Sequence, residues 1–111
     1  MIGRNALILL GFLLSSTANA DPVKIAVAAN FAKVAEALAN DFEADGNGKI
    51  AIVIGSTGAL YLQITQGAPF EAFLAADQER PARLEAKGLT ISGSRFTYAL
   101  GNLVLYSRRG P

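Results

Sequence analysis

The chain has 111 residues, 51% of them hydrophobic, with ten Lys and Arg against nine Asp and Glu and neither cysteine nor histidine. That length allows one domain at most, and the missing cysteine and histidine exclude a disulfide framework, a lipidation cysteine, most metal sites and most nucleophilic triads. The near balance of charge offers no basic excess for nucleic acid or for an anionic membrane surface.

Met1 to Ala20 carries Arg4, an apolar run from Ala6 to Leu14, a polar Ser15-Ser16-Thr17 step and the small-residue sequence Ala18-Asn19-Ala20. This is the pattern of a secretory signal peptide, with cleavage expected after Ala20, and the apolar run is about half of the roughly 20 residues that a spanning helix needs. Residues 1–20 are therefore read as a leader and residues 21–111 as the folded unit. Without Arg4 that unit has nine basic and nine acidic residues.

Val23 to Ala28 predicts a short apolar strand of the kind buried in a parallel sheet. From Phe31 the period changes, because Phe31, Val34, Ala35, Leu38 and Phe42 recur at steps of three and four, which predicts an amphipathic helix with Asn30 at its N-cap. It ends in the turn Ala44-Asp45-Gly46-Asn47-Gly48. Lys49 to Ile54 predicts a second strand, followed by Gly55-Ser56-Thr57-Gly58 and a helix with Leu60 and Ile64 on one face that stops at Gly67-Ala68-Pro69. Phe70 to Ala76 predicts a third strand. A third helix starts at Glu79-Arg80-Pro81, turns Leu84 inward and ends at Lys87-Gly88. Ser92 to Arg95 reads as a loop, and Phe96 to Leu100 and Leu103 to Ser107 as two further apolar extended runs.

Strands that alternate with helices predict an α/β fold with a parallel sheet and right-handed crossovers, in which ligands bind off the carboxyl ends of the strands. At that edge the turn after the second strand has the makings of an anion site. Glycines at 55 and 58 allow a tight turn and close approach, Ser56 and Thr57 bring hydroxyl donors, and the helix start brings unpaired N–H groups and the positive end of a dipole. Taken singly, such a turn is an ordinary N-cap. Asn30, at the end of the neighbouring strand, adds an amide that can converge on the same point, and charge-assisted bonds of this kind contribute about 1.5 to 3 kcal/mol each. Asp77 has no second carboxylate to form an acid dyad and reads as a helix cap or strand-end turn. Lys49 and Arg95 read as solvated. Tyr61 is expected beside the turn, without a chemical role.

The residues that carry this reading also carry a resemblance. Val27-Ala28-Ala29-Asn30-Phe31, Gly55-Ser56-Thr57-Gly58, Gln66-Gly67-Ala68-Pro69-Phe70, Phe73-Leu74-Ala75-Ala76-Asp77 and the run from Gly93 to Leu105 together resemble the periplasmic molybdate-binding proteins of ABC transporters, which have the type II periplasmic-binding-protein fold. The resemblance spans the whole of residues 21–111. It implies an α/β, parallel-sheet lobe, the N-terminal lobe of such a protein, truncated before the second lobe. It also implies that Asn30 and Thr57 occupy the two main oxyanion-contacting positions, with Ser56 beside Thr57 and Ala29 contributing its backbone N–H. Tyr98 and Tyr106 do not match the family's ligand tyrosine.

The function the resemblance implies is a periplasmic solute-binding protein for molybdate or tungstate. It would deliver the oxyanion to an ABC permease, act as a monomer when full length, contact no nucleic acid, and need neither cofactor nor cation. The competing readings are a binder of sulfate or another small oxyanion, a truncated remnant that binds nothing, and a hydrolase or transferase with Ser56 as nucleophile. The last lacks a nearby general base, since there is no histidine and no Ser-x-x-Lys run at that point. Residues 21–111 alone are expected to bind molybdate weakly or not at all, and to expose apolar surface and a sheet edge that a second lobe would cover.

Overall fold

The computed structural model describes residues 19–110, so the predicted leader lies almost wholly outside the described residues. The elements are β1 (Val23–Ala28), a 3-10 turn (Ala29–Phe31), α1 (Ala32–Ala44), β2 (Ile50–Gly55), α2 (Thr57–Thr65), β3 (Ala72–Leu74) and α3 (Glu79–Ala86). The three strands form one sheet in the order β2-β1-β3, with both pairings parallel. No helix among the described residues is long and apolar enough to cross a membrane.

The central position of β1 follows from its composition. Ala26, Val27 and Ala28 are buried, as a strand covered on both faces requires, and Leu60 of α2 and Leu84 of α3 complete most of the core with Ala35 of α1. Because the chain steps from β1 to β2 on one side and then back past β1 to β3, right-handed crossovers place α1 on one face and α2 on the other. The connection leaving β1 therefore turns one way, and those leaving β2 and β3 turn the other. Such a reversal opens a crevice at the carboxyl end of the sheet.

All three helices stop in the same manner. At Gly46, Gly67 and Gly88 the backbone takes positive φ (78°, 94° and 70°). In each case the glycine and the residue after it return their N–H groups to the last helical carbonyls, as in Gly88 to Glu85 at 2.9 Å and Leu89 to Leu84 at 3.0 Å. This is the Schellman ending, in which a left-handed residue satisfies carbonyls that the helix leaves open.

Three expectations need correction. Asn30 does not cap α1: it lies inside the 3-10 turn, and the N-cap of α1 is Phe31, which makes no side-chain capping bond. A tight first turn after β1 delays the helix by one residue and leaves the Asn30 amide exposed. Second, β3 is three residues long rather than seven. The Glu71 N–H still bonds the Lys24 carbonyl at 2.8 Å, but beyond Leu74 the backbone leaves the ladder and the Ala76 N–H is taken by a side chain of α2. Third, Val34, Leu38 and Phe42 on α1 are exposed, because β2 is the edge of the sheet and α1 overhangs it. The apolar surface expected to stay open is found after α3: the runs 96–100 and 103–107 join no strand of the sheet, and Leu100, Leu103, Val104, Leu105 and Tyr106 are almost wholly exposed. An extended segment gains little without a partner for its backbone, and here none of the described strands supplies one.

Candidate oxyanion site

In the parallel register of β1 and β2, Ala28 stands opposite Gly55. The two strands thus end level with each other, about 4.8 Å apart in the hydrogen-bonding direction. Both polar turns, Ala29-Asn30 and Ser56-Thr57, leave the sheet at the same height. The register sets the four residues singled out from the sequence at neighbouring strand ends, where Ser56 and Thr57 each take up a backbone N–H.

Ser56 is the N-cap of α2, its Oγ accepting the Ala59 N–H at 3.2 Å. Thr57, only 9% exposed, accepts the Ala76 N–H on its Oγ1 at 3.0 Å. In both hydroxyls an inward N–H occupies an acceptor lone pair, so the O–H remains free to donate. The N–H groups of Thr57 and Gly58 lie in the first turn, where a helix has no internal acceptor for them, and they form no hydrogen bond among the described residues. Asn30 is exposed and its amide likewise has no partner there. Ala29 is exposed beside it. The edge presents N–H and O–H donors at the positive end of α2, a combination that suits a compact anion.

The glycines of this turn act through packing rather than through unusual backbone angles, since neither Gly55 nor Gly58 has positive φ. A Cβ on Gly55 would stand 3.2 Å from Leu60 Cγ and 3.3 Å from its Cδ2, against a side chain with no room to retreat. At Gly58 the nearest atom to a Cβ is Arg80 Nη2 at 3.5 Å, an ordinary contact. Gly55→Ala is therefore expected to destabilise the fold by about 1 to 3 kcal/mol. Gly58→Ala, in the first turn of a helix, is expected to be neutral or to stabilise by up to about 1 kcal/mol. Urea denaturation of the two variants checks the order, and the reverse order would refute this account of the turn.

Asp77 behaves as a cap. Its Oδ1 accepts the Arg80 N–H at 2.9 Å and its Oδ2 pairs with the Arg80 guanidinium. Desolvation pushes the Asp77 carboxyl up, but the N–H and guanidinium of Arg80 together outweigh it and hold the group below the usual carboxylate range. Lys49 and Arg95, read as solvated, are each engaged in a surface ion pair, with Glu43 at 3.2 Å and Glu85 at 3.0 Å. Tyr61 lies under the Lys87 ammonium, 5.5 Å from the ring centre.

Two neighbours of the site went unassigned in the sequence. Arg80 is one, and its contact with Gly58 joins residues 22 apart that no local pattern connects. Tyr98 is the other: its hydroxyl donates to the Ala75 carbonyl at 3.1 Å and its ring lies 4.9 Å from that of Phe31, tilted by 56°. Burial pushes its phenol up. Tyr98 thereby pins the extended segment across the ends of β1 and β3, next to the Asn30 turn.

Two concavities of the described surface lie elsewhere. One, of about 310 Å³, is lined by Glu36, Ala39, Asn40, Glu43, Ile50 and Ile52, and its carboxylates make it unfit for an anion. The other, of about 440 Å³, gathers Asp21, Pro22, Lys24, Pro69 and Glu71 near the opposite end of the strands. Among the described residues no cluster of three acidic side chains could hold a metal ion.

A parallel α/β sheet that presents a donor edge at its topological reversal is the architecture of a solute-binding lobe, and the chain belongs to the bacterial extracellular solute-binding proteins, whose family model matches residues 23–111. Its relatives are more particular. It is 50% identical over 97 residues to the molybdate-binding protein ModA of Azotobacter vinelandii, a match covering 87% of this chain and 38% of the relative. With the molybdate-binding protein ModA of Rhodobacter capsulatus it shares 45% identity over 94 residues, covering 85% and 37%. The solved Azotobacter vinelandii periplasmic molybdate-binding protein superposes with a TM-score of 0.66 at 39% identity, over 68% of this chain and 33% of that one. The chain thus spans little more than a third of the length of these curated relatives.

Proposed function

We propose that this chain forms one wall of a periplasmic oxyanion site, for molybdate or tungstate, in a binding protein that serves an ABC permease. The observation that carries the reading is the level ending of β1 and β2, which sets the Asn30 turn beside Ser56 and Thr57, whose hydroxyls each accept one N–H and keep their O–H to donate. A site that turns its N–H and O–H donors toward the ligand favours a fully deprotonated tetrahedral oxyanion over a protonated one, which offers fewer acceptor lone pairs. Asn30 and Thr57 are the principal ligands, Ser56 the accessory hydroxyl and Ala29 a backbone donor. No bond is made or broken, and the Ser56 Oγ faces an amide donor rather than a base. The names of the relatives, all molybdate-binding, favour molybdate over sulfate.

The test is a titration of the isotope-labelled chain with sodium molybdate, followed by backbone amide shifts, with sodium sulfate as the comparison. The amides of Ala29, Asn30, Thr57 and Gly58 are expected to move first, with weak affinity. The Asn30→Ala, Thr57→Ala double variant should bind at least tenfold more weakly, the loss of two charge-assisted bonds. Shifts that fall elsewhere, or a double variant that binds as the parent does, would overturn the site. Equal response to sulfate would overturn the choice of ligand.

A further inference from the structure

The donors described so far are neutral, yet a cation stands against them. The Arg80 guanidinium lies over the first turn of α2, with Nη2 and Nε 3.5 and 3.6 Å from the position a Cβ on Gly58 would take. A positive charge at the positive end of a helix dipole is unfavourable by itself. It is held there by Asp77, which engages both the backbone N–H and the guanidinium of Arg80. The residue before Asp77 is in turn fastened to Thr57 through the Ala76 N–H. Two consecutive residues of the β3–α3 turn therefore tie a cation and its counter-ion to the start of α2. A local arrangement that opposes the helix dipole is the kind of conflict expected where function sets the terms.

We propose that Arg80 is the charge-selecting residue of the oxyanion site, and that Asp77 sets how much of its field the ligand feels. This inference rests on the oxyanion reading above. Arg80 does not have to touch the ligand; it favours a dianion over a monoanion of the same shape, because the interaction scales with ligand charge. Asp77 spends its carboxylate on Arg80 and on the start of α3, so that it does not repel the anion. Removing either partner leaves the other uncompensated, and the two substitutions must act in opposite directions.

The experiment compares molybdate with perrhenate, tetrahedral oxyanions of similar size carrying two charges and one, on the full chain and on its Arg80→Gln, Arg80→Lys and Asp77→Asn variants. Binding is followed by the amide shifts of Asn30, Thr57 and Gly58 at low and high salt. Arg80→Gln is expected to lower the ratio of molybdate to perrhenate affinity by roughly three- to tenfold at low salt, and Asp77→Asn to raise it, with both effects shrinking at high salt. Arg80→Lys, which keeps the charge, should restore most of the ratio, and so separates charge from loss of packing. A ratio unchanged by Arg80→Gln, or shifted the same way by Asp77→Asn, would overturn the inference while leaving the oxyanion site standing. Absence of shifts at these amides in the parent chain would remove the site, and this inference with it.

Discussion

Replacing Leu60 with alanine is expected to lower the melting temperature of this domain by about 10 to 30 °C or to unfold it at room temperature. Leu60 has 0% exposure, and of the six buried apolar residues among the described ones only Val27, Leu60 and Leu84 are larger than alanine. A buried Leu→Ala change costs about 2 to 5 kcal/mol, the loss of transfer free energy plus the cavity left behind. A domain of this size has a total stability of about 5 to 14 kcal/mol, and each kcal/mol moves its midpoint by about 4 to 8 °C. The core is thin on one side, since Val34, Leu38 and Phe42 remain exposed on α1, so neighbours are poorly placed to fill the space. Leu60 also closes over Gly55. Its loss would loosen the turn that carries the donors. Thermal denaturation followed by circular dichroism checks this, and a midpoint within a few degrees of the parent would show that the core lies elsewhere.

The second large effect belongs to Thr57. Thr57→Val keeps the shape and removes the hydroxyl, leaving the part-buried Ala76 N–H without its acceptor. The expected cost in stability is about 1 to 3 kcal/mol, since an unsatisfied donor keeps its full desolvation penalty. Binding should suffer more, because the same oxygen orients the O–H offered to the ligand. Thr57→Ser, which retains the hydroxyl, should recover most of both. Urea denaturation paired with molybdate titration separates the two roles. A Thr57→Val chain that keeps parental affinity would show that Thr57 holds β3 and nothing more.

The segment after α3 makes a different point about stability. Tyr98 and Gln78 anchor it, through the Ala75 carbonyl and the Thr97 hydroxyl, and the apolar residues beyond are left in solvent. Short apolar runs suit an extended conformation, but a strand exists only where another strand accepts its hydrogen bonds. The sequence pattern for 96–107 described what the segment is suited to, and the described residues hold no partner for it.

What the sequence by itself determined are the features whose causes are local. The ends of all three helices, the starts of α2 and α3, the inward turn of Leu84, the capping duty of Asp77 and the glycine stops all depend on residues within a turn or two of one another, and were legible for that reason. The alternation of strands and helices carried the parallel topology as well, through the chirality of crossovers. Only the tertiary structure decided the rest. It set Ala28 level with Gly55, cut β3 short by giving the Ala76 N–H to Thr57, placed the Arg80 guanidinium over Gly58 and left one face of α1 uncovered. The first three are contacts between residues 19 to 27 positions apart, selected by how whole elements pack. A side chain's neighbours along the chain hold no record of them, which is why the polar turns after β1 and β2 were readable and the Arg80 guanidinium beside Gly58 was not.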